Sequence, residues 1–100
     1  MTRVVIWAPK ARHDFIEQLR FIAADNVTGA ELVETRLHKA ITILAEMPAG
    51  RPVRVSGTYE KYVLKTSLII AYRLMGHSEL QILRIIHTSR NWLDDEWPSE

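Results

Sequence analysis

The chain contains no cysteine, which excludes a disulfide framework, a thiolate nucleophile and cysteine-ligated zinc, and fits a reducing, cytoplasmic setting. Long apolar runs are missing too. The first hydrophobic stretch, Val-Val-Ile-Trp at 4–7, stops at Ala8-Pro9. It is too short for a secretory signal core, and nothing later approaches membrane-spanning length. The expectation is a soluble, unexported protein. There is no glycine-rich phosphate loop, no serine in a nucleophile-elbow pattern, and no repeat, low-complexity tract or internal linker. His13, His38 and His77 fall on two helix surfaces and a turn without a carboxylate at metal-ligand spacing, so neither a metal nor another cofactor is expected. Glu34 and His38 read as a solvated pair one helical turn apart.

What is present is an ordinary globular composition: 100 residues, 47% hydrophobic and 25% charged. A chain of this size holds one core, so residues 1–100 form one domain. The net charge of +1 hides an uneven distribution. From residue 51 to 93, Arg51, Arg54, Lys61, Lys65, Arg73, Arg84 and Arg90 are opposed only by Glu60 and Glu79. The tail, 93–100, reverses the sign with Asp94, Asp95, Glu96 and Glu100. A basic C-terminal half points to an anionic partner, either nucleic acid or an acidic protein segment.

Periodicity gives an α+β order. Arg3 to Trp7 is a β-branched and aromatic first strand. Pro9 suits a first helical turn, and Phe15, Ile16, Leu19, Ile22 and Ala23 make one apolar face over residues 10–24. Asp25-Asn26 breaks the helix. Thr28 and Glu31 then read as a capping box, with Val27 and Leu32 as its hydrophobic staple. The second helix carries Ala30, Val33, Leu37, Ala40, Ile41, Leu44 and Met47 on one stripe and stops at Met47-Pro48-Ala49-Gly50. So short a connection implies an antiparallel helix hairpin. Residues 51–57 read as a loop, and strands follow at 58–65, 68–75 and 80–87, an antiparallel meander covered on one face by the helices. Strict alternation puts Leu80, Ile82, Arg84 and Ile86 on one face of the last strand, with Gln81, Leu83, Ile85 and His87 on the other. With both faces apolar, that strand is central.

The landmark residues are more specific than the element order. Trp7-Ala8-Pro9 opens the first helix and Leu44-Ala45-Glu46-Met47-Pro48 closes the second. Gly50-Arg51-Pro52 and Gly57-Thr58 follow, then Ala71-Tyr72-Arg73, and Ile82 to His87 with Arg90 and Trp92 beyond. In this order and spacing they resemble the ParE/RelE superfamily of toxins, the ParE-like branch more closely, over roughly Val4 to Trp92. The resemblance implies the RelE/ParE-like fold and the toxin of a bacterial type II toxin–antitoxin module, associated with growth inhibition and plasmid stabilisation and held by a cognate antitoxin in a hetero-oligomer. A ParE-like member poisons DNA gyrase, whereas a RelE-like member cuts mRNA on the ribosome.

The residues bear differently on these two activities. A metal-free ribonuclease needs an acid or base, cations beside the phosphate and an aromatic for stacking. Arg73, His87 and Arg90 are the candidates for that role, with Arg84, Lys61 and Lys65 as further cations and Tyr72 as an acid. The acidic tail opposes it. In the other reading no residue is catalytic. His87 then caps its strand against a carbonyl or a helix carboxylate, Arg90 and Trp92 form a structural corner, and Arg84 finds a carboxylate or carbonyl partner. Lys61 and Arg73 would contact an antitoxin segment laid along the sheet. A non-toxic nucleic-acid-binding module ranks last, because an aromatic base-stacking pair and a basic recognition helix are both missing.

Overall fold

The computed structural model describes residues 2–48, 50–52 and 57–88. Five strands and two helices follow in the order β1 (Val4–Trp7), α1 (Pro9–Asp25), α2 (Val27–Glu46), β2 (Arg51–Pro52), β3 (Thr58–Tyr62), β4 (Leu68–Met75) and β5 (Glu79–His87). Ala8 is extended (φ −66°, ψ 148°), as a residue before proline must be, and Pro9 starts α1. A single residue separates the helices. Asn26 donates its backbone N–H to the Ile22 carbonyl, closing α1, and its side chain accepts from the Gly29 N–H at 2.9 Å, opening α2. The expected capping box at Thr28 and Glu31 is therefore not formed. Asparagine is the stronger N-cap and comes two residues earlier, which leaves Val27 inside the helix, and Val27 and Leu32 exposed rather than stapled.

Phe15 meets His38 edge-on, with ring centroids 5.6 Å apart. These residues lie at nearly equal distances before and after Asn26, as they must in an antiparallel hairpin. His38 thus packs an aromatic edge. The stripe predicted for α2 is buried at Ala30, Leu37, Ala40, Ile41 and Leu44, whereas Met47 caps the helix and is exposed. Helix α1 buries only Ala11 fully, and Phe15 packs partly against the core.

The meander is present as β3-β4-β5, inside a larger mixed sheet of order β1-β5-β4-β3-β2. β1 pairs in parallel with β5, from Val4 opposite Glu79 to Trp7 opposite Ile82, so β5 is central. Arg51–Pro52, read from sequence as loop, adds a two-residue edge strand against Tyr59 and Glu60. Among the described residues no helix is long and apolar enough to cross a membrane.

The alternation expected for β5 fails at one point. Ala71 pairs with Arg84 but the next residue, Tyr72, pairs with Ile82, so Leu83 is an inserted, bulged residue. A bulge shifts the side-chain parity by one. Leu80, Ile82 and Ile85 therefore join the helix-side core with Leu37, Leu44, Ile70 and Tyr72. Leu83 and Ile86 join Ile69 and Ala71 on the opposite face. All four of those residues are buried.

Tyr72 locks the far side of this core. Its ring stacks on Tyr59 at 5.6 Å, and its hydroxyl accepts the Gly50 N–H at 2.9 Å. A Cβ on Gly50 would overlap the Tyr72 hydroxyl and lie 2.8 Å from the Glu60 carbonyl oxygen, so the backbone approaches here only because residue 50 has no side chain. Gly50→Ala is expected to lower unfolding free energy by about 1–3 kcal/mol, the usual cost of overpacking, measured as a shift in urea midpoint at unchanged m-value.

Candidate functional site

Asp14, where α1 crosses β5, accepts three hydrogen bonds. β1 ends opposite Ile82, and the Ala8 N–H closes that ladder on the Ile82 carbonyl. Beyond this point β5 carries the bulge at Leu83. Asp14 takes over: its Oδ2 accepts from Arg84 Nε at 2.6 Å and from the Ile85 backbone N–H at 3.1 Å, and its Oδ1 accepts from Arg84 Nη2 at 2.9 Å. The side chains of Arg84 and Asp14 are only 22% and 13% exposed. The carboxylate's hydrogen bond raises the Arg84 pKa above its ordinary value, against the opposing effect of burial. Arg84 has the carboxylate partner that an apolar-flanked arginine requires, and is fixed as a structural cation.

The residues predicted for catalysis do not converge. Arg73 pairs with Gln81 near one end of β5 and donates Nε to its side-chain oxygen at 2.7 Å. His87 lies at the other end, paired with Leu68 and bordering a shallow depression with Glu17, Gln18 and Phe21 of α1. Six residues of strand separate Gln81 from His87, roughly 20 Å at the usual rise. Tyr72, a candidate acid, is fully buried and its pKa is raised chiefly by that burial. Arg90, with Trp92, lies outside the described residues. Among the described residues no group of histidine, aspartate and glutamate could hold a metal.

The two residues predicted for antitoxin contact are also separated. Lys61 pairs with Ile70, a helix-side position, whereas Arg73 lies three residues further along β4 and so on the opposite face. Lys61 instead borders a groove of about 350 Å³ between α2 and the β3–β4 connection. Its apolar floor is Ala40, Ile43, Tyr62 and Leu64, and its cations are Arg36, Lys39, Lys61 and Lys65. Arg36 Nη1 donates to the Lys65 carbonyl at 3.1 Å, tying the connection to the helix. Arg36 and Lys39 were not among the candidates named from sequence. The signal lay in Arg36, Lys39 and Ile43 recurring at helical spacing beside the core stripe, but only the fold brings residues 61–65 to them.

The family model for the ParE toxin of the type II toxin–antitoxin system parDE matches residues 5–92. The chain belongs to the ParE toxin family. A relative in Sinorhizobium fredii named as a toxin, Y4kP, is 32% identical over 87 residues, covering 86% of this chain and 88% of its own. The fold is that of the chromosomal ParDE system from P. aeruginosa, with a TM-score of 0.77 at 22% identity over 86% of this chain and 96% of the other. The Mycobacterium tuberculosis RelBE2 toxin–antitoxin complex matches with a TM-score of 0.61 at 22% identity, over 87% and 99% of the two chains. The E. coli DinJ-YafQ toxin–antitoxin complex gives 0.60 at 14% identity, over 89% and 96%.

Two outcomes follow for this ParE-family chain. Asp14→Ala leaves a half-buried guanidinium and a strand N–H without their carboxylate, and should cost about 2–3 kcal/mol of stability in chemical denaturation. Tyr72→Phe tests the alkaline side. The folded chain holds the Tyr72 proton more tightly than the unfolded chain, so its stabilising share is constant below the ordinary phenol value near 10 and is lost as pH rises through the raised folded value. The variant should be about 1 kcal/mol less stable at neutral pH, through the lost Gly50 hydrogen bond, and should lose less stability than the parent above about pH 10.

Proposed function

We propose that this ParE-family toxin arrests growth by binding and jamming DNA gyrase, with no reaction of its own, and that a cognate antitoxin neutralises it in a toxin–antitoxin hetero-oligomer. The observation that carries the gyrase reading over ribosome-dependent mRNA cleavage is the placement of the chemistry-bearing side chains. A phosphodiester-cleaving site needs its acid, base and cations within hydrogen-bond reach of one scissile group. Here Arg73 of β4, paired with Gln81, and His87 of β5, paired with Leu68, stand toward opposite ends of the β4–β5 ladder, Arg84 is engaged by Asp14, and Tyr72 is buried against Gly50. The higher fold similarity to the ParDE system than to the RelBE2 complex points the same way. The toxin–antitoxin complexes among its structural neighbours support the partner.

Purified toxin is expected to inhibit gyrase supercoiling and trap cleaved DNA, with mRNA on translating ribosomes left intact. His87→Ala should keep gyrase inhibition within about threefold of the parent, equivalent to about 0.7 kcal/mol. Cleavage of mRNA in the ribosomal A site that disappears in Arg73→Ala or His87→Ala would replace this reading with the endonuclease one.

A further inference from the structure

We propose that the groove between α2 and the β3–β4 connection is the docking site for an acidic segment of the antitoxin that carries apolar side chains at its centre. The inference rests on the antitoxin reading above and adds the place of contact and the chemistry of the segment.

Two observations carry it. Arg36, Lys39, Lys61 and Lys65 line the groove and, among the described residues, no carboxylate does. Like charges gathered around one depression repel, and an acidic occupant relieves that repulsion and is steered toward it. Between these cations, Ile43 is 49%, Tyr62 50% and Leu64 80% exposed. Contiguous exposed aliphatic and aromatic side chains rimmed by polar groups mark a protein-binding surface. The floor, aliphatic apart from Tyr62, suits leucine-like anchors better than the bases of a single strand, which call for stacking aromatics in series. A second copy of the chain is a poor occupant, because a self-complementary interface would set cations against cations.

The groove is also built rigidly. Helix α2 buries its other face in the core through Leu37, Ile41 and Leu44. The connection is pinned by Thr66 Oγ1 donating to the Val63 carbonyl at 2.8 Å and by the Leu68 N–H donating to Thr66 Oγ1 at 3.1 Å. Arg36 clasps the Lys65 carbonyl, and Lys65 itself is held at φ 60°, in the left-handed region. A preformed surface of this kind loses little freedom on binding. β2 pairs with β3 only at Tyr59 and Glu60, so its ladder stops before Lys61 and Tyr62, beside the groove.

The absence of cysteine makes the test clean. Leu64→Cys and Ile43→Cys each place one thiol in the groove of the full chain, and Arg12→Cys places one on the exposed surface of α1. Each variant is co-expressed with the product of the small reading frame beside the toxin gene, purified, and labelled with a maleimide alone and in complex. The expected result is labelling slowed about tenfold or more in the complex at residues 43 and 64 and unchanged at 12. Lys39→Glu combined with Lys61→Glu should weaken the complex about tenfold or more, and the parent complex should loosen as salt is raised. A neutralising complex in which residues 43 and 64 label at the free rate would overturn the groove assignment and leave the partner reading standing. No complex with that product would remove the partner reading, and the groove assignment with it. Protection that appears in the toxin alone and grows with its concentration would assign the groove to a second copy and overturn the proposal.

Discussion

One carboxylate, that of Asp14, substitutes for a strand. β5 is flanked on one side by β4 along its whole length, but on the other side β1 covers only Glu79 to Ile82. Beyond the bulge at Leu83, Arg84 and Ile85 face α1 at Asp14, and a helix cannot supply ladder partners. Asp14 satisfies the Ile85 N–H directly and neutralises the arginine beside it. Buried backbone donors must be paired somewhere, and this arrangement sets where α1 lies across the sheet. The helix hairpin, and with it the groove on α2, inherits its position from that contact.

The same bulge explains why part of the molecule was legible in the sequence and part was not. Residues 68–75 form an almost continuously apolar run, and β4 spans them as expected. In β5 the two halves face opposite ways, because an inserted residue leaves no mark on a segment whose apolar residues lie on both faces. Asn26 was read only as a helix breaker, and as the stronger N-cap it starts α2 two residues before the expected Thr28. The parallel pairing of β1 depends on how the helix hairpin returns the chain to the sheet, which local pattern does not encode. Gly50 stood out as a landmark, and its reason became visible only with the Tyr72 hydroxyl above it.

Legibility of the candidate site divides along similar lines. Arg84 sits among apolar neighbours and needed a carboxylate, and that physical requirement was readable without coordinates, although Asp14, seventy positions away, was not. Lys61 borders a groove, whereas Arg73, three positions beyond the Lys61 ladder partner Ile70, lies on the opposite face of the sheet. The groove joins residues 36–43 to 61–65, two segments whose closeness is a property of the fold alone.

The position of β1 at the rim of the sheet, bonded only to the last strand, has a consequence for biosynthesis. Its four residues are made before the helix hairpin, yet their hydrogen-bonding partners at 79–82 follow about seventy-five positions later. Contacts so distant in sequence close late and slowly. The nascent toxin therefore cannot complete its sheet until β5 has been made, and a partner already present in the cell has that interval in which to meet the growing chain.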